Sequence, residues 1–98
     1  MIDLGLAAKA RPCLVLSIEF RDDERAVVTY VPRTTSLRGG RFEVAHQGPR
    51  FLPGAFDAQN INTVPTARLM NFLSRLDPPT LAQVEAAVSI WLALKHGT

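Results

Sequence analysis

The sequence predicts a mainly β (α+β) fold, an antiparallel sheet followed by one C-terminal helix. Three observations carry this. Short runs of β-branched, aliphatic and aromatic residues recur at 13–18, 26–31, 42–45 and 61–64 between prolines, glycines and polar clusters, the pattern of short strands. The segment between the first two runs, Glu19–Arg25, is short and polar, so those runs are expected to pair as an antiparallel hairpin. From Asp77 onward the apolar residues recur at helical spacing.

In chain order, Met1–Leu4 reads as the end of a strand and Gly5–Ala10 as a turn or loop. Arg11-Pro12 opens a strand over Cys13–Ile18, because proline is tolerated at a strand's first position and holds the residue before it extended. Ala26–Val31 is its hairpin partner and Pro32, which cannot donate to a ladder, marks a strand end or an edge. The hairpin brings the start of one strand and the end of the other to the same end of the sheet, so Arg11 and Thr34 become neighbours. Phe42–Ala45 is a further strand, and His46–Pro53, with Gly48-Pro49 and Pro53-Gly54, is turn-rich, anchored by Phe51 and Leu52. Asp57–Asn62 is a polar loop, Ile61–Val64 a strand stopped by Pro65, and Leu69–Leu76 a strand or a helical turn. Asp77 is an N-cap, with Pro78-Pro79 in the first helical turn. Leu81, Val84, Val88, Trp91 and Leu92 form the apolar stripe, Lys95 and His96 complement the C-terminal dipole, and Gly97 is the stop.

The stretch V-P-R-T-T-S-L-R-G-G-R-F-E-V, residues 31–44, carries the chemistry. Thr34, Thr35 and Ser36 stand where the backbone leaves the sheet, among Arg33, Arg38 and Arg41. Hydroxyl donors beside guanidinium groups suit a phosphate, since arginine offers a rigid fork of donors and a charge that persists near neutral pH. The same residues are ordinary turn formers and solvated loop charges, and both readings stand at this point. Gln59 and Asn60 can hydrogen-bond base edges or cap a loop.

Ninety-eight residues, 47% hydrophobic and 20% charged, predict one globular domain spanning 1–98 with a small core that a dimer would reinforce. No apolar run approaches the roughly 20 residues of a membrane span, and the start lacks the pattern of a signal peptide. The lone Cys13 lies in an apolar run and reads as a buried thiol in a reducing cytoplasm. The net charge is only +2, but Arg33, Arg38, Arg41 and Arg50 face a single acid, Glu43, across residues 31–51, whereas acids lead in Glu19–Arg25. A basic face of this kind fits a polyanion partner. The two histidines and one cysteine lack zinc-ligand spacing, and no glycine-rich phosphate loop is present; neither a metal nor a cofactor is expected.

Arg11-Pro12 followed by C-L-V-L-S, then V-P-R-T-T-S-x-x-G-G-x-F-E-V, then Q-N-I-N-T-V and R-L-x-x-x-L-S-R-L-x-P-x-x-L-x-x-V, resembles the MazF/PemK (Kid-like) toxins of type II toxin–antitoxin modules. The likeness spans nearly the whole chain. The chain departs from the family pattern at its start, where only Met1–Leu4 match a fuller first strand, in the shortness of Gly5–Ala10, and at Gln59-Asn60, where the family carries Asp-Gln. The resemblance implies a small SH3-like, CcdB-like antiparallel β-barrel with a C-terminal helix, working as a cytoplasmic homodimer. It implies a metal-free endoribonuclease that cuts single-stranded RNA, typically mRNA, at short sequences, held in check by a cognate antitoxin whose complex binds DNA.

Carried over, the catalytic pair falls on Arg11 and Thr34. Arg33, Thr35, Ser36, Arg38 and Arg41 would then hold the RNA backbone, and Gln59 and Asn60 would read bases. His46, by its pKa, is a second candidate for acid–base work. Two other readings share the fold: a CcdB-like poison of gyrase, acting through its C-terminal helix, and an inactive SH3-like binding module.

Overall fold

The computed structural model describes residues 2–6, 9–49 and 51–94. The strands are β1 (Ile2–Leu6), β2 (Lys9–Val15), β3 (Val27–Thr34), β4 (Glu43–Gly48), β5 (Phe51–Asp57), β6 (Asn62–Pro65) and β7 (Leu69–Phe72). Single 3₁₀ turns follow β5 and β6, at Ala58–Asn60 and Thr66–Arg68, and the helix α1 spans Pro78–Trp91. Every pairing is antiparallel, in the order β4-β5-β3-β2-β1-β7, with β6 also on β3. The expected mainly β sheet with a C-terminal helix is the architecture found.

β3 is the spine. One edge pairs with β2, Cys13↔Pro32 to Val15↔Tyr30. It also pairs with β6 over Val27–Tyr30 and with β5 at Arg33 and Thr34. Alternation along β2 and β3 sends neighbouring residues to opposite faces, and both faces are covered. Leu14 and Val31 join Phe42, Val44, Phe56, Ala58, Val84, Ala87 and Val88 in one core, whereas Cys13, Val28, Tyr30 and Val64 form another. Phe56 and Val84 are fully buried, each contributing about 1.5–3 kcal/mol of transfer free energy. Asp77 caps α1 as expected, accepting from the backbone N–H and the hydroxyl of Thr80 at 3.0 and 2.7 Å.

Several boundaries differ from expectation. Gly5, Leu6, Lys9 and Ala10 are not loop: the β1–β2 register pairs Gly5 with Ala10 and Leu6 with Lys9. Pro32 lies inside β3 at the last pair of the β2–β3 ladder, and Pro12 lies inside β2, one residue past that ladder and opposite Asp3 of β1. The segment expected to be turns after His46 contains β5. Its Pro53 falls where the β4–β5 register shifts between His46↔Gly54 and Gly48↔Phe51, the irregularity in which a strand tolerates proline. The last strand stops at Phe72, short of Leu76. α1 ends at Trp91, and Ala93 takes a left-handed φ of 54° while the Leu94 N–H returns to the Ser89 carbonyl at 2.9 Å. The stop is therefore not Gly97, which with Lys95, His96 and Arg50 lies outside the described residues.

Candidate functional site

The β2–β3 ladder ends at Cys13↔Pro32. Past that pair Arg11 lies opposite Leu4 of β1 and Thr34 opposite Ala55 of β5, so the expected Arg11–Thr34 neighbourhood follows only from extending the register two residues along each strand. Arg11 is exposed, and Thr34 is half-buried at the last position of β3. Thr34 Oγ1 accepts the backbone N–H of Ser36 at 3.0 Å, so one lone pair is committed while the hydroxyl proton stays available to donate.

Beyond Thr34 opens a groove of about 520 Å³, within the range of small-ligand sites. Five residues expected at the site line it: Thr34, Ser36, Arg38, Gln59 and Asn60. Its aromatic wall is Phe42 against Trp91, ring centroids 5.4 Å apart in an edge-on arrangement, with Trp91 44% exposed. Trp91 thus packs against Phe42 while keeping much of its surface exposed. Thr35 is exposed beside the groove, and Arg41 is exposed with its guanidinium 4.6 Å from the centre of the Phe42 ring.

Sequence reasoning passed over two carboxylates in the groove. Glu43 and Asp57 line it and are direct partners across the β4–β5 ladder. Glu43 accepts the backbone N–H groups of Arg38 and Gly39. Asp57 accepts the Gln59 N–H at 3.2 Å and the Asn60 side-chain amide at 2.6 Å. Asn60 can still offer a ligand its carbonyl oxygen and its second amide N–H, and Gln59 is exposed. Gln59-Asn60 thus caps the loop through Asp57 while lining the groove.

Two residues expected to serve the site point elsewhere. Arg33 is buried, 6% exposed. Its Nε donates to His46 Nδ1 at 2.8 Å, and its Nη2 donates to the carbonyls of His46 and Leu52. Phe51 packs over the guanidinium at 5.2 Å. With Nε and Nη2 committed inside, Arg33 ties β3 to β4 and β5 and is placed as a structural cation, not as a backbone clamp. His46 is 9% exposed, is packed against Phe51 and Phe56, and is not among the groove's lining residues. Burial first, then the Arg33 charge, lowers its pKa, against a smaller opposing pull from Asp77. Its Nδ1 is occupied as an acceptor, so an acid–base role at Thr34 finds no geometric support.

Gly54 shows how tightly this region is built. A Cβ there would come within 2.6 Å of the Thr34 carbonyl oxygen and 2.8 Å of Arg33 Nη1.

The chain matches the family described as PemK-like, MazF-like toxin of type II toxin–antitoxin system over residues 3–92. None of the curated proteins compared with it matches. Among solved structures it is similar to an endoribonuclease in complex with its cognate antitoxin from a Mycobacterial species, at 28% identity and a TM-score of 0.80, covering 98% of this chain and 93% of that one. It is also similar to the Mycobacterium tuberculosis toxin MazF-mt6, at 26% identity and a TM-score of 0.80, covering 97% and 98%. The fold is shared with MazF in the MazE–MazF structure from Deinococcus radiodurans, at 22% identity and a TM-score of 0.80, covering 96% and 91%.

Proposed function

This chain belongs to the PemK-like, MazF-like toxin family of type II toxin–antitoxin systems, and from that membership we propose that it is a sequence-selective endoribonuclease that cuts single-stranded RNA without a metal. The ribose 2′-hydroxyl is the nucleophile. Its oxygen bonds to phosphorus as the 5′-oxygen leaves, giving a 2′,3′-cyclic phosphate and a 5′-hydroxyl. The protein then has two tasks, to stabilise the charge gathering on the phosphoryl oxygens and to help move one proton.

The observation that supports this reading is the groove lined by Thr34, Ser36, Arg38, Gln59 and Asn60, with the exposed Arg11 two residues past the last β2–β3 pair, Cys13↔Pro32. Arg11 clamps the phosphoryl oxygens, a term worth about 10²–10³ in rate for a single well-aimed donor. The Thr34 hydroxyl, held by the Ser36 N–H, donates to a reacting oxygen and relays the proton. Ser36, Thr35, Arg38 and Arg41 hold the flanking backbone, Gln59 and Asn60 read base edges, and Trp91 offers a stacking surface.

The mycobacterial endoribonuclease is seen with its cognate antitoxin, and we assign this chain the same kind of partner. An acidic segment folding across the exposed arginines would cover Arg11 and Thr34. A homodimer in the cytoplasm completes the reading; no helix among the described residues is long and apolar enough to cross a membrane.

The test is cleavage of a long, weakly structured RNA in EDTA by the purified protein and by Arg11→Ala, with the 5′ ends mapped. Discrete cuts that vanish in the variant, with both proteins folded, are expected. Cuts that survive Arg11→Ala overturn the site. No cuts by the folded native protein would move belief to a binding or poison role.

A further inference from the structure

The loop 35–42 carries Arg38 and Arg41 to the rim of the groove, yet its sequence gives it little reason to hold one shape. A Cβ at Gly39 or Gly40 would meet nothing within 4 Å, so neither glycine is there for lack of room. Gly39 is required by its φ of 75°, which other residues adopt only at a cost.

The shape is held from the first residue of β4. The Glu43 carboxylate accepts the Arg38 N–H through both oxygens, at 3.1 and 3.0 Å, and the Gly39 N–H at 2.8 Å. The Glu43 N–H returns to the Gly40 carbonyl at 3.1 Å. Successive N–H groups turned onto one anion by a left-handed residue make an anion-binding concavity, here filled by the protein's own side chain. Bonds to a charged acceptor are about twice as strong as neutral ones, so this one contact outweighs the flexibility of the two glycines. It also accounts for an acid in a groove meant for a polyanion: the carboxylate is spent on backbone donors and does not face the ligand as a bare charge.

We propose that Glu43 is a positioning residue for RNA binding: by clamping the backbone at Arg38 and Gly39 it holds the Arg38 guanidinium at the groove mouth, where a phosphate of the bound strand passes. This rests on the ribonuclease reading, because it takes RNA as the ligand.

The experiment compares the native protein, Glu43→Gln, Glu43→Ala, Arg38→Ala and the Glu43→Ala/Arg38→Ala double variant. Amide exchange at Arg38 and Gly39 reports the clamp itself. Binding of short, random-sequence 2′-O-methyl RNA across a salt series reports recognition without cleavage. Thermal unfolding checks that each variant is folded, and Glu43→Gln, which keeps one acceptor, guards against a loss of fold in Glu43→Ala. In Glu43→Ala the two amides should exchange about tenfold faster, the loss of a bond worth roughly 1.4 kcal/mol. Binding should weaken about three- to tenfold with a shallower salt slope, and in the cleavage assay KM should rise more than kcat falls. The double variant should bind no worse than Arg38→Ala, since the effect runs through that side chain.

Additive losses in the double variant, or unchanged binding once the amides are freed, overturn the proposal. A native protein that binds the methylated RNA yet never cleaves RNA would sink the ribonuclease reading while leaving Glu43 to be judged by binding. One that neither binds nor cleaves ends both.

Discussion

Arg33 donates from Nε to Nδ1 of His46 at 2.8 Å, and both side chains are buried. The bond requires a neutral imidazole with its proton on Nε2, because a second N–H at Nδ1 would face a donor and set one cation against another. His46 therefore joins β3 to β4 beneath the site by staying uncharged.

A dependence on pH follows. The folded pKa of His46 is held below the ordinary 6.5, by burial first and by Arg33 second. The unfolded chain therefore takes up the proton first as pH falls. Stability is whole above the unfolded value and is lost as pH drops through about 6.5 toward the lower folded pKa. Urea unfolding at about pH 7.5 and about pH 5.5 should show the acid loss. His46→Asn, whose amide oxygen accepts without titrating, should flatten it. An equal loss in that variant would refute the assignment.

Thr34 should matter through its hydroxyl alone. Thr34→Ser keeps Oγ and should cut RNA at close to the native rate. Thr34→Val keeps the shape and should lose about 10²–10³ in kcat. Single-turnover cleavage with saturating protein separates the two, and equal rates for Ser and Val would remove Thr34 from the chemistry.

Gln59 and Asn60 should set where RNA is cut more than how fast. Replacing either by alanine removes contacts worth about 0.5–1.5 kcal/mol each, so preference among sites should shift by up to about tenfold while total cleavage changes less. Mapped 5′ ends from one RNA digested by each variant give the answer.

Gly54→Ala should destabilise the fold by about 1–3 kcal/mol, the range of overpacking in a well-packed region. The new methyl meets the Thr34 carbonyl, which belongs to backbone and has little freedom to give. A melting temperature equal to the native one would show that β5 can shift away.

The sheet, its central hairpin and the capped helix were legible from strand runs, a short polar turn and the Asp77-Pro78-Pro79 start. What misled was punctuation. Pro32 suggests a strand end or an edge, but it falls where only the β2–β3 ladder stops, and β3 runs on to pair with β5. Had the alternation been carried past it, Arg33 would have shared the inward side with Val31, two residues before, and Thr34 would have turned outward. Arg33 was assigned to phosphate by residue type, and type does not reveal burial. β5 was hidden by Pro53-Gly54, a pair tolerated because the ladder shifts there. That Thr34, Ser36, Arg38, Gln59 and Asn60 come to one groove was legible because each sits at a strand end, in a loop or in the short turn after β5. Glu43 was not, since its partners are backbone N–H groups brought round by a turn at Gly39 that no spacing rule announces.

The β2–β3 hairpin has two ends with opposite obligations. Residues 17–26 at the closed end are exposed, Ile18 and Phe20 included, and the turn is fastened locally by the Arg21 N–H on Glu24. Four residues along each strand, about 13 Å at the rise of a strand, separate Val15↔Tyr30 from Arg11 and Thr34. Length and composition at the tip are therefore free to drift, or to carry an inserted peptide or a dye. The open end, where the proposed pair Arg11 and Thr34 lies, has no such latitude, and a reporter at residues 21–24 would sit well away from it.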